Sequence, residues 1–177
     1  MNVRQLRRIC AAKVEALELP SPFDVHEFCQ SVERGRGRAI QLLPRALPVG
    51  SPSGLCVSTN ARDYIFYESR TSALHQEHII LHEVAHLLCE HRTTSVSREE
   101  ISGLLLPNLD PGMVQRVLGR TCHPVWAEQE AEIIASLILA KVERQRRETV
   151  WAASSNVAPV VARVERSLRG SPRRPST

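Results

Sequence analysis

The chain opens on an amphipathic pattern that predicts a helix over residues 2–18. Its stripe at helical spacing comprises Leu6, Ile9, Lys13 and Leu17, of which the lysine is the one charged member. The proline-rich "PSP" then ends the pattern, because proline cannot continue a helix. A second helix is predicted to start after Asp24, a favourable N-cap residue, and to stop at Gly35.

Three short runs rich in branched and aromatic residues follow the two helical patterns. These runs are "AIQLLP" (39–44), "GLCVST" (54–59) and "DYIFYES" (63–69). Proline, glycine and asparagine separate them, as is typical of turns between strands. We therefore expect a small three-stranded sheet in the middle of the chain.

Helical patterns return after the strands and recur as far as residue 168. One helix is predicted from about Ser72 to Cys89, two short ones at 97–106 and 110–118, a long one over 126–150 and a last one at 159–168. The order of elements predicts an α+β fold, in which a small sheet precedes a central helix and further helices. We expect a single domain over residues 1–168 and a disordered basic tail at 169–177, where glycine, proline and serine recur.

Charge and composition narrow the function classes only slightly. The 177 residues are enough to bury a core without disulfides, and basic residues exceed acidic ones by 23 − 19 = 4. The arginines gather at the two ends, but aromatic residues make up only 4% of the chain. A nucleic-acid surface usually combines a basic stripe with aromatic or groove-reading elements, so direct nucleic-acid binding is not expected.

The five cysteines are an odd count and form no C-x-x-C pair. This pattern predicts neither a disulfide framework nor a thiolate zinc knuckle, and it fits reduced thiols in the cytoplasm. Charged residues interrupt the apolar stretch near the start, and no apolar run approaches membrane-spanning length. We expect a cytoplasmic protein without a membrane partner.

The stretch "IILHEVAHLLCEH" (79–91) contains the candidate metal-binding and catalytic residues, in the pattern H-E-x-x-H. His82 and His86 are four residues apart, which places both imidazoles on one face of a helix, where they can hold one metal ion. Glu83 is then placed to act as general base, as in other H-E-x-x-H helices. The alternative is a buried helix with hydrogen-bonded histidines, but burying these groups in an apolar helix without compensation costs roughly several kcal/mol.

A catalytic zinc ion usually has three protein ligands. The candidates for the third are Glu128, Glu130, Glu132, His91, His123, Cys89 and Cys122. Helical spacing turns His91 off the metal-facing side, and it puts Glu128 and Glu132 on a shared face with Glu130 pointing away. One glutamate of that face would bind the metal and the other would steady a histidine, unless the segment is simply a solvated acidic helix start.

The two motifs together resemble the ImmA/IrrE-type zinc metallopeptidases of the gluzincin group. "LHEVAHLLCEH" and the later "EQEAEIIASLIL" carry the resemblance, which covers roughly residues 40 to 140. It implies a zincin-like domain with Zn²⁺ held by His82, His86 and Glu128, and with Glu83 as the base. Glu132 stands where that family tends to have asparagine or aspartate. The family often continues the second motif into Leu-Leu-Met-Pro, whereas this chain has Ile-Leu-Ala-Lys at residues 138–141.

The resemblance further implies a cytoplasmic endopeptidase that cleaves a helix-turn-helix transcriptional repressor and so relieves repression. The competing hypothesis is a non-catalytic regulator of the same fold that binds a DNA-binding partner. Within the peptidase hypothesis, "DYIFYES" is expected to hold the substrate as an added strand at the sheet edge. Tyr64 and Tyr67 are candidate oxyanion donors, although packing on the sheet is the simpler expectation for them.

Overall fold

The computed structural model describes residues 2–47, 51–59, 61–91, 94–95 and 123–155. In chain order the elements are α1 (Val3–Glu15), α2 (Val25–Arg36), β1 (Ala39–Arg45), β2 (Gly54–Ser58), β3 (Arg62–Glu68), α3 (Ala73–Leu88), β4 (Thr94–Ser95) and α4 (Val125–Ser155). The fold is α+β, as the sequence predicts. The short helices predicted at 97–106, 110–118 and 159–168 and the tail at 169–177 lie outside the described residues.

The sheet is mixed and has the strand order β1-β3-β2-β4. β3 lies between β1, which is parallel to it, and β2, which is antiparallel to it. The two-residue β4 pairs only with Val57 and Ser58 of β2. Pro44 is accommodated because β1 pairs on one side only among the described strands, so the missing N–H of proline breaks no ladder hydrogen bond there.

α3 packs on β2 and β3, and α2 packs on β1 and α3. Asp24 caps α2 as predicted, but α2 ends two residues later than predicted, at Gly37. Gly37 has a φ of 64°, and the left-handed conformation that ends this helix is readily available only to glycine. The predicted stop at Gly35 was wrong because that glycine keeps a helical conformation inside α2.

α1 buries Leu6, Cys10 and Val14, whereas Ile9 of the predicted stripe is 41% exposed. The buried stripe is therefore rotated by about one position from the predicted one, and Lys13 lies at its border. The carboxyl end of α1 is held by Lys141 of α4, whose Nζ donates to the carbonyl oxygens of Val14 and Leu17 at 3.0 Å each. The lysine thus supplies donors to backbone carbonyls at and just beyond the carboxyl end of α1.

A buried carboxylate connects α2, β3 and the end of α3. Asp63 at the start of β3 is fully buried and accepts from Arg38 Nε at 2.9 Å and Arg36 Nη2 at 3.4 Å. Arg36 also donates through Nη1 to the Leu87 carbonyl oxygen at 2.5 Å. A buried charge requires such partners, and these fix the end of α3 relative to the sheet.

The chain divides into two units, Met1–Lys141 and Val142–Thr177. The first unit contains the sheet, α1 to α3 and the first part of α4, with Ala127, Ala131, Ile134 and Ile138 buried along one side of the helix. The described part of the second unit is the remainder of α4. Within the described residues, none of the helices has both the length and the apolarity that a bilayer crossing requires.

Candidate metal centre

α3 brings the two motif histidines together as the helical spacing predicts. Ser72 caps the helix by accepting from the His75 backbone N–H, and the following apolar residues fix its orientation on the sheet. His82 and His86 lie one turn apart, with their Nε2 atoms 3.1 Å from each other. The His86 side chain is 1% exposed and that of His82 is 21% exposed, so the pair lies at the inner end of an open site.

Glu128 of α4 completes a group of three metal-ligand side chains with these histidines. Its Oε2 lies 3.2 Å from His82 Nε2, and its Oε1 lies 3.6 Å from His86 Nε2. Glu132, one turn further along α4, lies instead 3.4 Å from the other ring nitrogen of His82, Nδ1. Glu132 also lies 3.3 Å from His78 Nε2. Of the two carboxylates, Glu128 is therefore the one that faces both Nε2 atoms.

The donor atoms fit a zinc ion. Zinc is bound tetrahedrally at about 2.0–2.2 Å by imidazole nitrogen and carboxylate oxygen, which places neighbouring ligand atoms about 3.3 Å apart. The distances among His82, His86 and Glu128 are 3.1, 3.2 and 3.6 Å. Burial, together with the neighbouring His123, His82 and His91, lowers the pKa of His86 to about 3, so this imidazole is in the neutral form that binds metals.

Glu83 lies beside this group and against β2. The Cys56 backbone N–H hydrogen-bonds to its carboxylate, and a Cβ atom added to Gly54 would lie only 2.4 Å from Glu83 Oε1. Burial, with a further contribution from the nearby charge of Glu128, raises the pKa of Glu83 to about 8. Gly54 thus leaves the space that the carboxylate occupies, and the side chain is held at the wall of the site.

An open cleft of about 570 Å³ lies over the three ligand-type residues. Residues 52–56, which lead into and form β2, line one wall, and Glu83 and His123 also line the cleft. The His123 ring stacks on that of His86 with centroids 4.0 Å apart. His75 and His78 of α3 also line the cleft, and His78 contacts Glu132 as described.

Behind the cleft, His86 contacts a second group of polar side chains. His86 Nδ1 lies 2.9 Å from His91 Nδ1, and His91 Nε2 lies 3.3 Å from Glu130 Oε2. Glu130 Oε1 accepts from Lys13 Nζ of α1 at 2.7 Å, and the same ammonium lies 3.3 Å from Cys89 Sγ. Although burial opposes it, hydrogen bonding to Lys13 and His91 lowers the pKa of Glu130. Cys89, His91 and Glu130 thus form a second group of metal-ligand type, with a lysine already bound to it.

The fold corrects one expectation and confirms another, namely that Tyr64 and Tyr67 pack on the sheet. "DYIFYES" was expected at the sheet edge, but β3 is central and hydrogen-bonded on both sides, so it has no free edge for a substrate. Tyr64 and Tyr67 do not line the cleft; the Tyr64 ring stacks on Phe66, and Tyr67 is buried in the core. The edge that reaches the cleft belongs to β2. Cys122, another candidate ligand, lies outside the described residues.

The sequence reasoning missed the contribution of α1 to the site. Lys13 interrupts the predicted apolar stripe, and the structure shows why, since its ammonium reaches Glu130. A charged residue inside an apolar helical stripe was the available signal. Such a lysine indicates an acidic partner in the fold, but the sequence does not show which acidic residue that is.

No protein-family model, curated protein or solved structure matches this chain. The interpretation of the centre therefore rests on its own residues and distances.

Proposed function

We propose that this protein is a zinc-dependent endopeptidase whose zinc ion is held by His82, His86 and Glu128. One observation carries the proposal: two imidazole Nε2 atoms and a carboxylate lie at zinc-ligand spacing beneath an open cleft that the Glu83 side chain also lines. Structural zinc sites usually have four protein ligands, whereas catalytic sites have three and an open position. Three ligand groups and an adjacent carboxylate match the catalytic arrangement.

When bound, the zinc ion supplies Lewis-acid polarisation of the scissile carbonyl and lowers the pKa of a water molecule. Glu83 is the general base in this proposal. The charge of a bound zinc ion would favour the ionised form of Glu83 in spite of its raised pKa. The carboxylate then accepts the proton of the attacking water and passes that proton to the leaving amine nitrogen. The Cys56 N–H and the space left by Gly54 hold the carboxylate in place for both transfers.

We further propose that the substrate binds as an extended strand along the free part of β2. Residues 54–56 have no strand partner on the cleft side among the described residues, because β4 pairs only with Val57 and Ser58. Backbone hydrogen bonds to such an edge bind a peptide without requiring a particular sequence. This placement brings a peptide bond of the substrate across the cleft beside Glu83.

The proposed substrate is a helix-turn-helix repressor met in the cytoplasm. Support for this choice comes only from the resemblance of the two motifs to the ImmA/IrrE-type peptidases. The non-catalytic alternative, a regulator that binds the same kind of partner without cutting it, makes a different prediction for Glu83. A pure binding module does not need a carboxylate held at that place.

The decisive experiment compares the parent with Glu83→Gln. The amide keeps the size of the side chain but cannot accept a proton, so we expect cleavage to fall by roughly 10²- to 10⁴-fold while zinc remains bound. The readout is fragment formation from a helix-turn-helix repressor encoded next to this gene, with and without a chelator. Glu77→Gln, the same change on α3 away from the cleft, is the matched control and should cleave like the parent.

Equal rates for the parent and Glu83→Gln would remove Glu83 from the chemistry. If both proteins bind the repressor and neither cuts it, the regulator hypothesis replaces the peptidase hypothesis.

A further inference from the structure

The two ring nitrogens of His86 face different neighbours on opposite sides of the ring. Nε2 faces His82 and Glu128 at the candidate metal centre, whereas Nδ1 faces His91 at 2.9 Å. A neutral imidazole has one protonated nitrogen and one free nitrogen. To bind a metal through Nε2, His86 must therefore carry its proton on Nδ1, and that proton needs an acceptor because the side chain is 1% exposed.

The neighbours of His86 determine where each proton lies. If His86 Nδ1–H donates, His91 Nδ1 is the acceptor, and the proton of His91 is then on Nε2. His91 Nε2 lies 3.3 Å from Glu130 Oε2, so it donates to a carboxylate, which has no proton of its own to offer when ionised. Lys13 holds Glu130 in that ionised form through the 2.7 Å ion pair. When His86 binds a metal through Nε2, each hydrogen bond from Lys13 to His86 therefore has one donor and one acceptor.

The turn after α3 puts His91 in this position. Glu90 has a φ of 52°, a left-handed conformation that costs a residue other than glycine roughly 1–2 kcal/mol. The His91 backbone N–H then donates to the His86 carbonyl oxygen at 3.0 Å. A helix continued without this turn would carry the His91 ring away from His86, so the turn is needed for the ring contact.

We propose that His91 is a positioning residue for the metal centre: it accepts the His86 Nδ1 proton and thereby keeps Nε2 of His86 free and aimed at the metal. The inference rests on the proposed zinc site and adds to it a buried residue outside the H-E-x-x-H motif. Cys89, His91 and Glu130 do not bind a second metal ion in this proposal, because the Lys13 ammonium already contacts Cys89 and Glu130.

The test uses two substitutions of His91, to Asn and to Gln. Each amide side chain keeps a polar group near the position of only one of the two ring nitrogens. In His91→Asn the amide oxygen lies near the position of Nδ1 and can still accept from His86. In His91→Gln the amide lies near the position of Nε2, so it can donate to Glu130 but leaves His86 without its acceptor. Both are neutral polar side chains, and they separate the two hydrogen bonds of one residue.

We expect His91→Gln to weaken zinc binding by roughly 10- to 100-fold, as loss of a partner behind a metal-bound histidine typically does. His91→Asn should bind zinc much more nearly like the parent. Affinity is measured by competition with a chromophoric chelator, and circular dichroism checks folding. Cys89→Ala, two residues away in the same turn, is the matched control and should keep the parent affinity.

A second measurement does not depend on metal or on any variant. Long-range proton–nitrogen NMR of the zinc-free parent at neutral pH should show His86 as the Nδ1-protonated tautomer and His91 as the Nε2-protonated one. The opposite tautomer at His86, or equal zinc affinity for the Asn and Gln variants, would overturn the proposal. If the parent binds no zinc, the proposed function fails by itself, while the tautomer measurement still decides whether His91 accepts from His86.

Discussion

Two groups of metal-ligand residues lie between α3 and α4, and they differ in what occupies them. The front group, His82, His86 and Glu128, faces an open cleft, and no described lysine or arginine is hydrogen-bonded to it. The back group, Cys89, His91 and Glu130, is more enclosed and contains the Lys13 ammonium, 2.7 Å from Glu130 Oε1. The two groups therefore have similar ligand atoms at similar distances, but only the back group has a protein cation next to its carboxylate.

Ligand type and distance alone therefore do not define a metal site. In the back group the carboxylate already has a cation, and binding a metal ion there would require displacing the lysine and ionising Cys89. Burial raises the pKa of that thiol to about 11 although Lys13 opposes the shift, so ionisation is unfavourable near neutral pH. In the front group the His86 imidazole is neutral and the Glu128 side chain is 46% exposed. A metal ion entering from the cleft would therefore not have to displace a lysine or arginine of the described residues.

The largest expected effect is loss of zinc from the front group. His82→Ala, His86→Ala and Glu128→Ala should each abolish stoichiometric binding, because each removes one of three ligands. Glu132→Ala, which removes only a partner of His82 Nδ1, should cost no more than roughly 10- to 100-fold in affinity. Metal analysis after reconstitution should give about one zinc per chain for the parent. Two equivalents in the parent, or a greater loss in Glu132→Ala than in Glu128→Ala, would contradict the distinction drawn between these residues.

A smaller effect is expected from Gly54→Ala, which tests the carboxylate beside the front group. The new Cβ would lie 2.4 Å from Glu83 Oε1 and 2.7 Å from Ile79 Cγ2, so side chains must shift. We expect a loss of about 1–3 kcal/mol in the free energy of unfolding, measured in urea, and reduced cleavage with zinc still bound.

The matched control for that change is Gly35→Ala in α2, where a Cβ meets no atom within 4 Å. Alanine suits a helix better than glycine, so stability should rise by about 0.5–1 kcal/mol. A destabilisation of the same size at both glycines would show that the contact with Glu83 is not the cause.

The smallest expected effect comes from Lys13→Met, which removes the cation of the back group but keeps an apolar stem. Because the Lys13 side chain is 44% exposed and water screens the ion pair, we expect only about 1 kcal/mol of lost stability, the upper value for an exposed ion pair. With its cation gone, the back group should bind a second, weaker zinc ion, seen as extra thermal stabilisation by excess zinc. Arg8→Met, on the exposed side of α1, should show neither change. Unchanged zinc stoichiometry in Lys13→Met would mean that the lysine is not what excludes a metal ion.

Periodicity was enough to place the described elements except β4, the two-residue strand at Thr94–Ser95, which was not predicted. The strands β1 to β3 and the helices α1 to α4 fall close to their predicted ranges, because each has the alternation or the 3.6-residue repeat that its burial requires. Strand order was not accessible in the same way. "DYIFYES" has the same composition whether it pairs on one side or two, and only the fold shows that β3 is central and that β2 reaches the cleft.

For the candidate centre, the sequence by itself determined the pairing of His82 with His86 and the shared face of Glu128 and Glu132, because helix geometry fixes neighbours three and four residues apart. The tertiary structure decided which glutamate faces both Nε2 atoms, that Glu83 lies against Gly54, and that His91 returns to His86. These contacts join α1, α3, α4 and β2, whose spacing along the chain carries no information about distance in space. The left-handed residue at position 90 brings His91 back to His86, and the packing of α3 on β2 puts Glu83 beside Gly54. Neither effect can be read from local periodicity.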